Sequence, residues 1–257
     1  MVGGNEKPLV IMPVFNRPKE TMAALGQFAK VTNRDGAHFV IVDNGSDGDL
    51  PGQIVEWAAL YGAIVRLLPE NIGCPAALNL AINEYRRQGQ AVVKVDNDVM
   101  IETPRWIFCV SRFLERWEAV MGPTAMVSLN YPGSHDNRAM GGPAIVTLGR
   151  DVWRMKVVVG HAVWHTGAFM DQVGHFDVLS DEHIYGFEDL IMCEKARQLG
   201  MHMVEWAGWS GGVVARNSLG HGRDAHIQAM RPLFNARIRA LRGDGAIRTG
   251  KDGQPGK

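Results

Sequence analysis

Short apolar runs alternate with amphipathic stretches along the first hundred residues. Each apolar run is bounded by polar or turn-forming residues, which is typical of buried strands. We predict four strands of this kind, over 9–14, 39–42, 64–68 and 91–95. Helical patterns separate them, over 18–29, 52–61 and 76–87. Strands and helices that alternate at this short spacing predict βαβ units and an α/β fold with a mostly parallel sheet.

The regular alternation ends after about residue 100. Further helices are predicted over 104–118, 190–199 and 223–242, and further strands over 125–129, 144–148, 152–159 and 202–206. The sequence contains no internal repeat and no linker, so we predict a single domain over 1–242, with a Rossmann-like half over about 8–100 and a second half over about 101–242. The polar, Gly-rich stretch 243–257 is predicted to be a disordered tail.

Polar residues cluster just past the predicted strands. They are Asn16, Asp43, Asn71, Asp96 and Asp98. In a parallel sheet the carboxyl ends of the strands meet at one edge, and ligands bind there. A solvated loop would explain any one of these residues, but the set together predicts a shared binding site.

Asp96 and Asp98 occupy positions i and i+2 after the fourth strand, and therefore project from the same face of an extended backbone. Two carboxylates this close repel each other unless a positive charge lies between them. A divalent metal ion, which prefers oxygen ligands, would supply that charge. A solvated turn after a strand is the alternative interpretation.

Composition and motif searches exclude several classes of protein. Lys and Arg total 27, as do Asp and Glu, so no overall charge attracts nucleic acid or membrane, although the chain after residue 212 is rich in Arg. No dinucleotide fingerprint and no P-loop follows a strand. The three cysteines are far apart and fit neither a disulfide framework nor a zinc site. Because no signal-peptide pattern and no apolar run of about 18 residues is present, we expect a soluble, cytoplasmic protein without a membrane span.

Several short motifs occur in an order and spacing that are specific as a set. They lie at 10–17 (Val-Ile-Met-Pro-Val-Phe-Asn-Arg), 40–46 (Val-Ile-Val-Asp-Asn-Gly-Ser), 70–73, 96–98, 167–169, 174–177 and 186–189, with Ala77 and Asn79 between them. In these motifs the chain resembles the family 2 glycosyltransferases, which have the nucleotide-sugar-binding GT-A fold. The resemblance covers about 9–205 and implies a GT-A-type single domain that uses a nucleoside-diphosphate sugar, by default a UDP-sugar, as its donor.

The resemblance implies a nucleoside pocket at the ends of the first three strands. Asp43 would hydrogen-bond the base or the ribose. The other lining residues would be Pro13, Phe15, Asn16, Asn71 and Gly73.

The resemblance also implies a metal site. Asp98 would ligate Mn²⁺ or Mg²⁺ directly, and Asp96 would contact ribose or metal-bound water; the metal would neutralise the leaving diphosphate. Many family members add a third ligand, often His, for which His221 is the candidate here, with a surface-loop histidine as the alternative. Gly167 and Ala168 would pass close to the donor sugar and the acceptor.

Family 2 enzymes are usually inverting, which requires a base to take the proton of the acceptor hydroxyl. By resemblance this base is Asp189, with Glu188 as second candidate, although carboxylates at a helix start are also favoured by the helix dipole alone. One departure from the family pattern is Lys94, where an apolar residue is usual. We expect Lys94 to form a salt bridge with a carboxylate, with an approach to the phosphates as the alternative.

The acceptor could be a glycan, a small molecule or a hydroxymethylated base in DNA. The basic C-terminal region permits a DNA acceptor because Lys and Arg neutralise phosphates, whereas the alternative is that an Arg-rich helix is simply solvated. Five side chains could stack on it or hydrogen-bond to it, although each could equally be structural: His135, Arg138, Trp153, Trp164 and His165. The Gln-x-x-Arg-Trp motif of processive synthases is absent, which favours transfer of a single sugar.

Two other classes remain open. A nucleotidyltransferase would share the fold and the carboxylates but needs a basic loop near the first strand, where only Arg17 and Lys19 are available. An inactive sugar-nucleotide-binding protein would keep the pocket without the chemistry.

Overall fold

The structure is a computed structural model, and it describes residues 6–129, 152–154, 158, 161–179, 187–206 and 223–243. The strands in this part of the chain are β1 (Leu9–Val14), β2 (His38–Asp43), β3 (Ile64–Leu67), β4 (Val92–Val95), β5 (Thr124–Leu129), β6 (Val152–Arg154), β7 (Ala162–His165) and β8 (His202–Trp206). The α-helices are α1 (Pro18–Val31), α2 (Leu50–Tyr61), α3 (Cys74–Tyr85), α4 (Trp106–Met121), α5 (Gly167–Val173), α6 (Glu188–Gln198) and α7 (Arg223–Arg242).

The strands form one sheet in the order β3-β2-β1-β4-β7-β5-β8-β6. Strand β1 pairs in parallel with β2 and β4, β2 pairs in parallel with β3, and β5 with β8. Strand β7 is antiparallel to both of its neighbours, β4 and β5, and β6 is antiparallel to β8. The prediction of one α/β domain with a mostly parallel sheet and a Rossmann-like first half is confirmed.

Apolar residues cover both faces of the sheet. On β1, Val10 and Met12 face a cluster that includes side chains of α1, α2 and α4, whereas Leu9 and Ile11 face a second cluster with side chains of α3, α5 and α6. A strand buried on both faces has no polar side to alternate with, so it appears in the sequence as an unbroken apolar run. This explains why the first strands could be recognised from their apolar runs.

The observed elements differ from the predicted ones at several boundaries and by two elements that were not predicted. Helices α2 and α3 begin two residues earlier than predicted, at Leu50 and Cys74, because Pro51 and Pro75 occupy first-turn positions that proline favours. Strand β7 and helix α5 were not predicted. The four residues of β7 are all buried, so neither alternation nor length distinguishes them in the sequence.

Several predictions concern residues outside those that the structure describes. They are the strand at 144–148, the polar loop 130–142 and the tail beyond 243. Among the described helices, none is both long enough and apolar enough to cross a bilayer.

Candidate active site

The carboxyl ends of β1, β2 and β4 lie side by side, and the loops that follow them form the site. In the register of the sheet Val14 at the end of β1 pairs with Asp43 at the end of β2. The loop after β4 is joined to the start of α1, since Asn97 Nδ2 donates to Thr21 Oγ1 at 2.8 Å. The predicted meeting of strand-end polar residues is therefore present in the structure.

Two asparagines connect the loop after β2 with the loop after β3. Asn44 Nδ2 donates to Asn71 Oδ1 at 2.8 Å, and the amide of Ile72 donates to Asn44 Oδ1 at 2.9 Å. The amide of Gly73 donates to Asn71 Oδ1 at 2.9 Å. Gly45 allows this close approach, because a Cβ at its position would lie 2.5 Å from the carbonyl carbon of Glu70. These hydrogen bonds fix Asn71 and Gly73 to the loop that follows Asp43, and their role in a nucleoside pocket stays a prediction.

Asp43 is a buried carboxylate at the floor of this region. Its side-chain oxygen Oδ1 is buried and has no hydrogen-bond partner within the described structure. Burial raises the pKa of Asp43, while hydrogen bonds with Ser46 oppose the rise. Leaving a buried acceptor atom without a hydrogen bond costs free energy in a folded protein. The unpaired Oδ1 of Asp43 is therefore consistent with an oxygen that accepts a hydrogen bond from a ligand.

The turn between β1 and α1 carries backbone strain. Asn16 and Arg17 both adopt positive φ angles, 55° and 59°, which side-chain-bearing residues rarely do. Hydrogen bonds fix the turn: the Asn16 amide donates to Ser46 Oγ at 2.8 Å, and the Asp47 amide donates to Asn16 Oδ1 at 2.9 Å. Pro13 lies just before this turn on β1, and the ring of Phe15 is 42% exposed. Strain of this kind is often found at functional sites.

A buried ammonium group joins the motif after β4 to the start of α6. Lys94 is 2% exposed, and its Nζ lies 3.1 Å from Glu188 Oε1 and 3.4 Å from Asp189 Oδ2. The same Nζ lies 3.5 Å from Asp96 Oδ1. The salt bridge expected for Lys94 is therefore present, and it has three carboxylate partners instead of one.

Lys94 and its carboxylate partners stabilise each other's charged forms. Burial alone would lower the pKa of Lys94, but Asp189, Asp96 and Glu188 outweigh it and raise that pKa well above its ordinary value. Burial likewise opposes ionisation of Asp96, yet Lys94 and His161 bring its pKa below the ordinary value. At neutral pH the site thus holds a permanent ammonium and an ionised Asp96.

The second motif carboxylate, Asp98, binds a different cation. Arg17 Nη1 lies 2.7 Å from Asp98 Oδ2, and the Asp98 side chain is only 7% exposed. Among the described residues, the cations that contact the four carboxylates Asp96, Asp98, Glu188 and Asp189 are Lys94 and Arg17.

The donor set fits a divalent cation. Within the described residues no three His, Cys, Asp or Glu side chains converge on one point. Mg²⁺ and similar hard cations are commonly held by one or two carboxylates together with substrate phosphates, so Asp96 and Asp98 suffice on the protein side. His221, the predicted third ligand, lies outside the described residues.

The start of α6 presents both candidate bases. Glu188 and Asp189 are 4% and 9% exposed and form its first turn. The residue before them, Phe187, has a φ of 65° and stacks on Phe234 of α7 with ring centroids 4.5 Å apart. Helix α7 is thus packed against the N-terminus of the helix that bears these carboxylates.

Two predicted site residues are not brought to the site. Gly167 lies against Gly89: a Cβ atom at Gly167 would be only 1.8 Å from the Gly89 carbonyl oxygen. Gly89 precedes β4, whereas the motif carboxylates follow β4, so Gly167 is at the opposite end of this strand from them. The position predicted for Gly167 and Ala168, beside donor sugar and acceptor, is therefore corrected. The reason is the antiparallel direction of β7, which carries its end away from the site.

The same reversal brings an unpredicted residue to the site. His161, just before β7, lies at the carboxyl end of β4, where its Nδ1 is 3.5 Å from Asp96 Oδ2 and its carbonyl accepts a hydrogen bond from the Asp96 amide at 2.7 Å. Identifying β7 as antiparallel would have revealed it. His165, at the other end of β7, is fully buried and offers no surface to an acceptor.

A sheet of this topology, with a carboxylate motif after β4 and a carboxylate pair on α6, defines the class of GT-A glycosyltransferases. The chain belongs to glycosyl transferase family 2, since the sequence model described as "Glycosyl transferase family 2" matches residues 9–156. Among curated protein sequences none matches the chain.

Solved structures of low sequence identity share the fold. S. aureus TarS 1–349 in complex with UDP aligns with a TM-score of 0.64 and 17% identity over 91% of this chain and 66% of TarS 1–349. The mannosyltransferase PcManGT from Pyrobaculum calidifontis, in complex with GDP-Man and Mn²⁺, aligns with a TM-score of 0.61 and 18% identity over 91% of this chain and 69% of its own. Against another crystallised TarS chain the match spans 44% of that chain. These similarities establish the fold.

Proposed function

We propose that the protein is a metal-dependent, inverting glycosyltransferase that moves one sugar from a nucleoside-diphosphate sugar to an acceptor hydroxyl. The observation that carries this proposal is the position of Lys94, whose ammonium contacts both the motif carboxylate Asp96 and the α6 carboxylates Glu188 and Asp189. One buried cation thereby joins the group expected at the leaving diphosphate to the groups expected at the incoming hydroxyl.

The donor nucleoside would bind at the ends of β1 to β3. The unpaired Oδ1 of Asp43 is available to accept a hydrogen bond from the base or ribose, and the exposed ring of Phe15 can lie against the base. UDP is the default nucleotide for the family resemblance, and TarS, which shares the fold, was crystallised with UDP and with UDP-GlcNAc.

Mn²⁺ or Mg²⁺ would be held by Asp98, with Asp96 as second ligand or as partner of metal-bound water. When bound, the ion neutralises charge on the leaving nucleoside diphosphate. The two motif carboxylates supply oxygen ligands of the kind that such an ion prefers, and the PcManGT complex contains Mn²⁺.

Asp189 would serve as the general base. The acceptor oxygen attacks the anomeric carbon, its proton passes to an Asp189 oxygen, and the bond between the anomeric carbon and the diphosphate oxygen breaks, so the configuration inverts. Of the two α6 carboxylates Asp189 is the more exposed, and Glu188 is closer to Lys94. Glu188 would thus anchor the pair to Lys94.

The direct test incubates the protein with Mn²⁺ and a panel of UDP- and GDP-sugars and measures released nucleoside diphosphate. We expect release from one donor, dependent on Mn²⁺ and accelerated by the correct acceptor. Glycans and hydroxymethylated DNA, added separately, distinguish the two acceptor classes. No release above the metal-free control with any donor would contradict the proposal and favour a sugar-nucleotide-binding protein.

A further inference from the structure

The two cations that contact the motif carboxylates differ in their freedom to move. Lys94 is 2% exposed and is surrounded by three carboxylates, so its ammonium has no route to solvent. The Arg17 side chain is 44% exposed, although its partner Asp98 is 7% exposed. Arg17 therefore reaches a nearly buried carboxylate from the solvent side and can withdraw without opening the core.

Asp98 requires a positive partner. A carboxylate that is nearly buried loses most of its hydration and is stable only when a cation or several hydrogen-bond donors contact it. Arg17 meets this need at 2.7 Å, which is the distance of a strong charge-assisted hydrogen bond. A metal ion that binds Asp98 must therefore compete with the guanidinium for the same carboxylate.

The backbone directs Arg17 to this place. Asn16 and Arg17 form two consecutive left-handed residues, and the carbonyl of Asn16 accepts hydrogen bonds from Thr21 Oγ1 at 3.2 Å and from Asn97 Nδ2 at 3.4 Å. Asn97 is the central residue of the motif, so the turn and the motif are fixed to each other. A strained conformation persists only where its surroundings determine it, and here they hold the Arg17 side chain over Asp98.

We propose that Arg17 is an exchangeable cation that couples metal binding to nucleotide binding. Without nucleotide, Arg17 occupies Asp98 and keeps the affinity for metal low. A donor diphosphate offers the guanidinium a bidentate partner, so Arg17 moves to the phosphates and Asp98 becomes available to the metal that enters with them. This inference rests on the proposed function and adds an order of binding to it.

The test measures Mn²⁺ affinity by the EPR signal of free Mn²⁺, with and without saturating UDP, and in a parallel series with GDP. In the wild type we expect weak binding alone and tighter binding with nucleotide. Arg17→Ala should bind Mn²⁺ alone about tenfold more tightly, because a hydrogen bond to a charged group is worth roughly one factor of ten. The tightening caused by the nucleotide should shrink by a similar factor.

Lys19→Ala is the matched control. Lys19 is exposed in the first turn of α1, so this variant removes the same unit charge nearby without touching Asp98. Its Mn²⁺ affinity should stay within about twofold of the wild type. If both variants gain affinity equally, or if neither does while the wild type binds Mn²⁺ with nucleotide, the role of Arg17 is wrong and the metal site stands. If no variant binds Mn²⁺ even with nucleotide, the metal part of the proposed function fails as well.

Discussion

At the scale of single residues, Lys94 is the side chain on which the site depends most. Removing a buried charge leaves its partners uncompensated, and the loss is larger than for any exposed ion pair. Its three carboxylate partners come from the loop after β4 and from α6, which are distant in sequence. The sequence identified Lys94 as a departure from the family pattern, but only the fold shows how many carboxylates it contacts.

Lys94→Met should lower the free energy of unfolding by about 3–5 kcal/mol at neutral pH, measured by urea denaturation. The deficit should shrink as the pH falls towards 5, because the carboxylates that lose their ammonium then take up protons and stop repelling one another. Lys30→Met, at an exposed position of α1, should change stability by less than about 0.5 kcal/mol. A deficit for Lys94→Met no larger than for Lys30→Met would show that the cluster contributes nothing.

His165 is a buried residue outside the carboxylate motif whose protonation makes the stability of the protein depend on pH. Burial, with the nearby Lys94 as the second cause, lowers the pKa of His165 from 6.5 to about 3. The unfolded chain takes up this proton below pH 6.5 and the folded chain does not, so stability is present above that pH and falls as the pH falls, by up to about 1.4 kcal/mol per unit.

His165→Phe should therefore flatten the dependence of unfolding free energy on pH between 6.5 and 5, a change of about 1.5–2 kcal/mol over that interval. The ring would remain among aromatic neighbours, since His165 lies 5.2 Å from Phe176 and 6.3 Å from Phe169, measured between ring centroids. Urea titrations at several pH values measure the slope, with His38→Phe, at an exposed position, as control. An unchanged slope in His165→Phe would mean that His165 takes up its proton over the same pH range in the folded and the unfolded chain, so that burial does not lower its pKa.

At the scale of elements, the strands and helices that a local pattern of residues determines could be predicted from the sequence. The apolar runs of β1, β2 and β4 indicated the sheet, and the polar residues after them indicated the loops that meet at the candidate site. Strand β7 has four buried residues and pairs with strands more than 30 residues away, so no local pattern distinguishes it. Because β7 was not predicted, His161 was overlooked, and the position that the family resemblance implied for Gly167 could not be checked against the direction of the strand.

The pairing of α6 with α7 was also invisible in the sequence. Phe187 and Phe234 stack across 47 positions of chain, and Arg237 of α7 contacts Asp177 at 2.5 Å. Two of the C-terminal arginines, Arg237 and Arg242, are held by carboxylates of the same protein. Some arginines of this basic region therefore form intramolecular ion pairs that hold α7 in place. Sequence composition alone could not show this.

Phe234→Ala should reduce turnover about tenfold while nucleotide binding stays unchanged. The stacked ring supports the left-handed Phe187, and without it the first turn of α6, which bears the proposed base, loses its fixed position. Leu233→Ala, an exposed neighbour on α7, is the matched control and should keep full turnover. A parallel loss of UDP affinity, measured by calorimetry, would indicate general unfolding instead of misplaced carboxylates.

At the scale of the whole molecule, the two halves of the chain meet at one carboxylate cluster. The first half supplies Asp96, Asp98 and Lys94, and α6 supplies Glu188 and Asp189, so the proposed donor activation and acceptor deprotonation would depend on one folded unit. Binding and chemistry are nevertheless assigned to different carboxylates. Substitutions of the motif carboxylates and of the α6 carboxylates should therefore impair different properties, namely binding in the first case and transfer in the second.

The most direct test compares Asp189→Asn with the wild type in two assays, nucleotide binding with Mn²⁺ and transfer measured as released nucleoside diphosphate. We predict binding within about twofold of the wild type and transfer lower by about 10²–10⁴-fold, which is the usual contribution of a general base. Glu188→Gln, the same carboxylate-to-amide change one residue away, should lose no more than about tenfold. Transfer by Asp189→Asn at the wild-type rate would contradict the account.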